Sequence, residues 1–361
     1  MPVGRIIPEN DSMTKIIKTP GKSLLSLEDR LLESIKPLLN YRQSNRYPTG
    51  IGDDAAIRQS GSEKLILTAD SMVENVHFSY EHMSCSEVGY KALAANLSDC
   101  AAMGAMPDSA LVQIIFPERA TDVQRRIRQI YRGFNGLCRS WNFPIVGGNL
   151  SSGPCWVINI TLIGRISGRN KPLKRTGIRP GDFLFVSGYP GESGAGLDAL
   201  NFFGRKKLPR EFRPLQKRHI QPVPRIELGK RLGRSRHVHA CIDISDGLSK
   251  EARILSHENH CAVEIDERLI PLSKSLIKLG RSLGKNPLDW CLHGGEDYEL
   301  LFAASPAINS DSLCRNGEIR LTRIGRCIKG APAVVLKKND GNILPVRQKA
   351  WDHLNRGSAR R

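Results

Sequence analysis

Apolar and polar positions along the first half of the chain follow two periods, which predict helices and strands in alternation. Apolar residues at helical spacing predict an opening helix over 26–39, and an Ala- and Leu-rich stretch predicts a second helix over 88–103. A long amphipathic helix is predicted over 121–141. Short β-rich stretches predict strands over 64–68, 112–116, 144–148 and 157–166.

The second half begins after a run of turn residues and charges between 167 and 181, where we place a domain boundary. A strand over 182–187, a glycine loop over 188–196 and a helix over 197–203 are predicted next. Further on we expect a strand over 241–244, a helix over 248–257 and a strand over 299–303. This alternation predicts an α/β or α+β fold in both halves. The expected parts are a disordered extension (1–24), two domains (25–168 and 175–354) and a basic tail (355–361).

Five short strings place carboxylates beside Gly, Ser or apolar residues rather than beside Lys or Arg. They are 50–56 (GIGDDAA), 67–71 (LTADS), 96–99 (NLSD), 242–247 (IDISDG) and 294–300 (GGEDYEL). Carboxylates in apolar surroundings are costly to desolvate unless a counter-charge is present. With no basic residue nearby in sequence, the expected counter-ion is a bound cation. Oxygen ligands without a Cys or His cluster indicate Mg²⁺, which commonly also binds substrate phosphates.

The positions of these acids suit phosphate chemistry. Asp54 follows a Gly-Ile-Gly turn, and Asp70 is expected at the end of a strand. Asp99 is expected on a helix face of small and apolar residues, and Asp243 at a strand end, a usual ligand position in α/β folds. Phosphoryl transfer requires little beyond positioning and charge stabilisation. For any single string, a role in helix caps or turns remains an equal alternative.

Longer motifs extend the pattern to a family. They are Gly-Ile-Gly-Asp-Asp-Ala from Gly50, the string from Tyr90 to Pro107 (YKALAANLSDCAAMGAMP), Ile244-Ser-Asp-Gly-Leu and Gly-Gly-Glu-Asp-Tyr-Glu-Leu from Gly294. Over roughly residues 26–354 the chain resembles the thiamine-monophosphate kinases. These belong to a superfamily with aminoimidazole ribonucleotide synthetase, selenophosphate synthetase and a hydrogenase maturation protein. The resemblance implies a two-domain aminoimidazole ribonucleotide synthetase-like fold, with an N-terminal domain that binds ATP and metal and a C-terminal α/β domain.

The resemblance also implies an activity and a set of site residues. The activity is transfer of the γ-phosphoryl group of ATP to thiamine monophosphate, with several Mg²⁺ ions, in a homodimer that has its ATP sites near the interface. The implied metal ligands are Asp54, Thr68, Asp70, Asp99, Asn149, Asp243 and Asp246, of which Asp54, Asp99 and Asp246 are the candidate catalytic residues. Gly148, Asn149, Arg175 and Ser245 would contact ATP, and His77, Glu296 and Trp351 would contact the thiamine part.

Departures from the family pattern keep two alternatives open. Asn149 stands where the family usually has Asp, Ala69 where it often has Thr, and His293 where a small residue is more usual. One alternative is a superfamily relative that acts on another substrate. The other is a degenerate protein that binds nucleotide or thiamine phosphates without turnover, for which Asn149 is the main support.

Composition adds limits on partners and location. The net charge is +18, and the segment from Arg205 to His239 has only Glu211 and Glu227 as acids. Such an excess can attract nucleic acid or anionic substrates. No nucleic-acid-binding motif accompanies it, so a solvated basic face is the expectation. Nine dispersed cysteines indicate a reducing cytoplasm, and no apolar run predicts a membrane span.

Overall fold

Two β-sheets, one in each half of the chain, organise the fold. The computed structural model describes residues 27–39, 42–166, 168, 170–314 and 319–346. Within these ranges the helices are α1 (Leu27–Ile35), α2 (Cys85–Ala102), α3 (Val123–Trp141), α4 (Glu192–Phe203), α5 (Arg213–Ile220), α6 (Ile226–Leu232), α7 (Leu248–Glu258), α8 (Lys274–Leu283) and α9 (Pro287–His293). The expected extension (1–24) and basic tail (355–361) lie outside the described residues.

The strands form a five-stranded and a seven-stranded sheet. They are β1 (Ala56–Ser60), β2 (Glu63–Val73), β3 (Met106–Pro117), β4 (Ile145–Gly153), β5 (Val157–Ile166), β6 (Phe183–Ser187), β7 (Val238–Asp243), β8 (Ala262–Asp266), β9 (Leu300–Ala304), β10 (Leu321–Ile328), β11 (Ala333–Lys337) and β12 (Ile343–Pro345). The first sheet has the order β1-β2-β5-β3-β4, and the second has the order β12-β11-β8-β10-β6-β9-β7. Both halves of the chain combine helices with a β-sheet, in agreement with the predicted fold class.

Helix α2 lies between the two halves. It packs on β2 and β5 of the first sheet, and also contacts α6 and β7 of the second half. Because both sides are covered, α2 is buried over most of its length and lacks the polar face of a surface helix. Helix α6 approaches so closely that a Cβ atom on Gly229 would lie 1.9 Å from the carbonyl oxygen of Ala101. Polar side chains of α2 can therefore reach residues of both sheets.

Several strands are longer than predicted, and in β2 and β4 this changes the setting of candidate site residues. Strand β2 continues to Val73, so Asp70 lies inside the strand and not after its end. Strand β4 continues to Gly153, so the glycine-rich string at 147–153 is itself a strand and not a loop between strands. In both cases the extra residues form backbone hydrogen bonds with a neighbouring strand. This pairing keeps them extended although their composition is not typical of strands.

The basic segment from Arg205 to His239 is folded into the second half, including α5 and α6, and is only partly a solvated face. Arg205 pairs with Glu87 at 2.6 Å, and Arg218 pairs with Glu192 at 3.1 Å. Arg225 forms a buried ion pair and hydrogen bonds with the Glu299 carboxylate. Part of the positive charge therefore neutralises acids of this chain.

Candidate functional site

Consecutive residues of α2 connect the acidic strings of the two halves. Thr68 on β2 donates a hydrogen bond to Asp99, and Ser98 donates one of 2.6 Å to Asp243 at the end of β7. The α2 position between the sheets thus brings together strings separated by 145 residues in sequence. The Asn-Leu-Ser-Asp and Ile-Asp-Ile-Ser-Asp strings therefore meet in the structure.

Burial and mutual repulsion raise the pKa values of these carboxyls. Burial first, and then the charges of Asp70 and Asp243, raise the pKa of Asp99 well above its usual value, against the hydrogen bond from Thr68. Burial and the charge of Asp54 raise the pKa of Asp243 to about 8. Among the described residues, neither Asp99 nor Asp243 forms an ion pair with a basic side chain. The site therefore concentrates negative potential that a cation would relieve.

The Gly-Ile-Gly-Asp-Asp string joins this site through Asp54, whose side chain is fully buried. Arg175 donates to Asp54 Oδ1 from Nε at 3.0 Å and from Nη2 at 2.7 Å, and its backbone N–H donates to Asp53 Oδ1 at 3.2 Å. Burial and the charge of Asp54 raise the pKa of Asp53 to about 7. The second oxygen of Asp54, Oδ2, is buried without a hydrogen-bond partner among the described residues. A buried, unpaired carboxylate oxygen beside other carboxylates is chemically suited to a hard cation.

The expectation that the acids have no basic partners is wrong for part of the set. Asp54 pairs with Arg175, and Lys250 lies 2.7 Å from Asp246 Oδ2. Arg175 is remote in sequence and is brought near by the contact between the two halves, whereas Lys250 lies one helical turn after Asp246. Arg175, expected at ATP, is in this structure the partner of Asp53 and Asp54.

Two of the three acids of the Gly-Gly-Glu-Asp-Tyr-Glu-Leu string are buried and make structural contacts, and the third, Glu296, is partly accessible. Asp297 accepts hydrogen bonds from the N–H groups of Gly191 (2.6 Å) and Ser193 (3.0 Å) at the start of α4. Glu299 is occupied by Arg225 and the Ser187 hydroxyl. These two acids therefore stabilise the fold, as the alternative of helix caps and turns predicted for single strings.

Glu296, in contrast, is partly accessible and close to His77. Lys91 of α2 lies 2.8 Å from Glu296 Oε1 and donates to the carbonyl oxygen of His77 at 3.3 Å. The ring of His77 is held through Nδ1, which accepts a hydrogen bond from the backbone N–H of Val73 at 3.1 Å. The structure thus places two of the expected substrate residues beside one lysine. The third, Trp351, lies outside the described residues.

Ser245 lies next to this region, whereas Gly148 and Asn149 do not. The carbonyl oxygen of Ser245 accepts a 2.6 Å hydrogen bond from the N–H of Glu296. Gly148 has φ +155°, and a Cβ atom there would lie 1.7 Å from the carbonyl oxygen of Val112, so the close pairing of β4 with β3 requires glycine.

Asn149 is exposed on the edge strand β4 and lies in register with Gln113, Asn159 and Ser71 across the sheet. Three strand spacings separate it from Ser71, about 14 Å. By the alternation of side chains, Ser71 and its cross-strand partners face away from the side that carries Asp70. Within one chain, Asn149 is therefore remote from Asp99.

The candidate metal ligands do not form a closed cluster. Across the described residues, no group of three or more His, Cys, Asp or Glu side chains has an arrangement that could hold a metal ion by itself.

The described residues also include no helix long and apolar enough to cross a membrane.

Residues that the sequence reasoning missed are the polar partners of the acids: Ser98, Lys91, Lys250 and His219. Ser98 and Lys91 belong to the same motif as Asp99, at one and eight residues before it. Their helical positions were available from the sequence, but the residues of the second half that they contact were not.

Comparison with known protein families first defines the class of protein to which this chain belongs. Residues 52–166 match the family model described as AIR synthase related protein, N-terminal domain, and residues 179–332 match the corresponding C-terminal domain. Two AIR synthase-related domains with an acidic site where they meet define the superfamily predicted from the motifs.

The relatives within that superfamily define the family. The chain is 35% identical to the thiamine-monophosphate kinase of Aquifex aeolicus over 305 residues, which cover 84% of this chain and 92% of that protein. It is 31% identical to that of Bacillus subtilis over 332 residues, covering 90% and 98%. A solved structure described as AaThiL complexed with AMPPCP and TMP matches with TM-score 0.78 and 32% identity, covering 93% of this chain and 99% of that chain. The chain belongs to the thiamine-monophosphate kinase family.

Proposed function

We propose that this protein catalyses phosphorylation of thiamine monophosphate by ATP, giving thiamine diphosphate and ADP. The observation that carries the proposal is the junction of Asp54, Asp99 and Asp243, buried carboxylates from three remote strings, in a member of this family. The related structure of AaThiL was solved with AMPPCP and TMP, which agrees with a nucleotide and a thiamine phosphate as the two ligands.

The donor set suits Mg²⁺, although it is not closed around a single point. Asp54 Oδ2 has no hydrogen-bond partner among the described residues, and the pKa values of Asp99 and Asp243 are raised. Both observations indicate that the negative charge of the site is not fully compensated by basic side chains. We propose that the ligands are Asp54, Thr68, Asp70, Asp99, Asp243 and Asp246 of one chain, with substrate oxygens and water completing the shells. Asn149 is the remaining proposed ligand, and because it is remote from Asp99 within one chain, it would be supplied by the second chain of a homodimer. Bound Mg²⁺ would neutralise charge that develops on the transferred phosphoryl group.

The protein's own groups would orient the two substrates. Asp54, Asp99 and Asp246 are the proposed catalytic residues. Arg175 holds Asp54 in place, and it is also proposed to contact ATP. Ser245 of the same chain is another proposed ATP contact, and Gly148 and Asn149 are proposed to reach ATP from the second chain of a homodimer. His77, Glu296 and Trp351 are proposed to contact the thiamine part.

We propose direct transfer between the substrates. A phosphate oxygen of thiamine monophosphate attacks the γ-phosphorus of ATP, and the bond from that phosphorus to the β,γ-bridging oxygen breaks as ADP leaves. Two serine hydroxyls of the site are paired with a potential base, Ser98 with Asp243 and Ser193 with His219. Both serines are 0% exposed, so we assign these contacts to the support of the site and not to a nucleophile that would form a phosphoenzyme. Positioning and charge neutralisation are therefore the main tasks of the protein.

A homodimer and a two-domain division complete the proposal. The outer edge of β4 is unpaired in the described part of the chain, and Leu111, Val146 and Leu150 are exposed on or next to it. An open edge with exposed apolar side chains favours association with a second copy.

The domains would span 25–168 and 175–354. All nine cysteines are free, which supports a reducing, cytoplasmic location.

The test is formation of thiamine diphosphate by the purified protein from thiamine monophosphate, ATP and Mg²⁺, followed by chromatography. Aminoimidazole ribonucleotide precursors and other phosphate acceptors serve as competing substrates. Turnover of another acceptor alone would favour the superfamily relative. Binding of ATP without turnover of any acceptor would favour the degenerate binder.

A further inference from the structure

Lys91 is a fully buried lysine in the middle of α2, with an exposed fraction of 0%. A buried ammonium is costly to desolvate unless charged and polar partners surround it. Its partners are the Glu296 carboxylate at 2.8 Å and the His77 carbonyl oxygen at 3.3 Å. These partners belong to different halves of the chain, so Lys91 connects the two segments that carry them.

Glu296 is held from several directions. Its backbone has φ +62°, an uncommon conformation for a residue with a side chain, and its N–H donates to Ser245. Besides Lys91, its carboxylate faces the buried His219, whose Nδ1 lies 3.6 Å from Oε2. His219 in turn contacts the Ser193 hydroxyl at 3.2 Å. A carboxylate fixed in this way has little freedom to reorient.

His77 is fixed by a complementary contact. Because Nδ1 accepts the hydrogen bond from Val73, the neutral ring carries its proton on Nε2. Lys91 holds the backbone of the same residue through its carbonyl oxygen. The lysine therefore sets the separation between an imidazole donor of the first half and a carboxylate acceptor of the second half.

We propose that Lys91 is a positioning residue for thiamine monophosphate, which holds His77 and Glu296 in the geometry that recognises the thiamine part. The inference rests on the proposed function and on the proposed roles of those two residues. Lys91 contacts neither ATP nor the reacting phosphates in this assignment, because its described contacts are with His77 and Glu296. Its loss should affect one substrate selectively.

The test compares Lys91→Met with the unchanged protein in steady-state assays that vary each substrate. Truncating one member of a buried charge pair usually costs enough to change binding by about tenfold to a hundredfold. We expect KM for thiamine monophosphate to rise at least about tenfold, while KM for ATP stays within about twofold. Equal changes in both KM values, or no change in either, would overturn the proposal.

Arg225→Met is the matched control, because it breaks another buried ion pair to the same Gly-Gly-Glu-Asp-Tyr-Glu-Leu string. It should lower the unfolding temperature without changing the ratio of the two KM values. If Lys91→Met does not fold, Glu296→Gln is compared with the double variant Lys91→Met/Glu296→Gln, which leaves no unpaired charge. The double variant should have a KM for thiamine monophosphate about threefold higher, because the contact with His77 is also lost. Equal KM values in this pair would overturn the proposal.

The unchanged protein separates this proposal from the proposed function. If it does not convert thiamine monophosphate, the proposed function fails. If it does, and the Lys91 variants keep the unaltered KM, only the positioning role fails.

Discussion

Asp99→Asn should separate stability from activity, because the carboxylate is expected to destabilise the protein alone and is proposed to be catalytic. Asparagine has nearly the same shape and keeps an oxygen that can accept the hydrogen bond from Thr68. The change removes one negative charge from a buried site that also contains Asp70 and Asp243. The free energy of unfolding without Mg²⁺ and the kcat with Mg²⁺ should therefore move in opposite senses.

The size of the stability effect follows from like-charge repulsion. Two carboxylates about 6 Å apart repel by roughly 3 kcal/mol at an effective dielectric constant of 20. The same burial and repulsion raise the pKa of Asp99 well above its usual value, which agrees with the direction of this effect, and we expect a gain of about 1 kcal/mol. This corresponds to a rise of about 1–3 °C in Tm. The kcat should fall by about a hundredfold to a thousandfold, as for other groups that stabilise transition-state charge.

The assay pairs thermal unfolding in chelator with initial rates at saturating Mg²⁺, ATP and thiamine monophosphate. The control is Asp108→Asn, which makes the same chemical change on β3, at a carboxylate that pairs with Arg165 of β5. This variant should keep its kcat. Near-normal turnover of Asp99→Asn would refute the catalytic role of the carboxylate. A lower Tm in chelator would refute the argument from repulsion.

Three further predictions concern metal demand, mechanism and the contact between the halves. Asn149→Asp should lower the Mg²⁺ concentration at half-maximal rate by about tenfold, since a carboxylate adds charge that an amide lacks; an unchanged midpoint in a Mg²⁺ titration would exclude Asn149 from the metal shell. Initial-rate plots should intersect, and γ-labelled ATP alone should leave the protein unlabelled; parallel lines would indicate a phosphoenzyme. Arg205→Met should lower the free energy of unfolding at pH 7 by about 1 kcal/mol, because a partly exposed bidentate pair with Glu87 is lost. Burial raises the pKa of Glu87, but Arg205 and Ser84 lower it more, so this contribution is present above the ordinary value of 4.5 and is lost as the pH falls through the lowered value. Urea denaturation should therefore show a difference at pH 7 that shrinks as the pH falls below 4.5, and a constant difference would contradict the assignment.

The sequence by itself determined the fold class and the family, and it supplied the candidate acids of the site. Helical periodicity predicted α2 and α3 to within a few residues of their ends, because amphipathic or Ala-rich stretches of that length have few other stable conformations. Motifs identified the family without any structure, since strings such as Asn-Leu-Ser-Asp are specific when they occur together. The lengths of β2 and β4 were underestimated, because strand pairing depends on neighbours that are remote in sequence.

Only the tertiary structure decided which acids are buried together at the candidate site and which support the fold. In sequence, Glu296, Asp297 and Glu299 are equivalent acids in one string, yet Asp297 caps α4, Glu299 pairs with Arg225 and Glu296 is held by Lys91. The partners come from elements as much as 205 residues away in the chain. A carboxylate's role is set by its counter-charge and its exposure, and both follow from the packing of α2 between the two sheets.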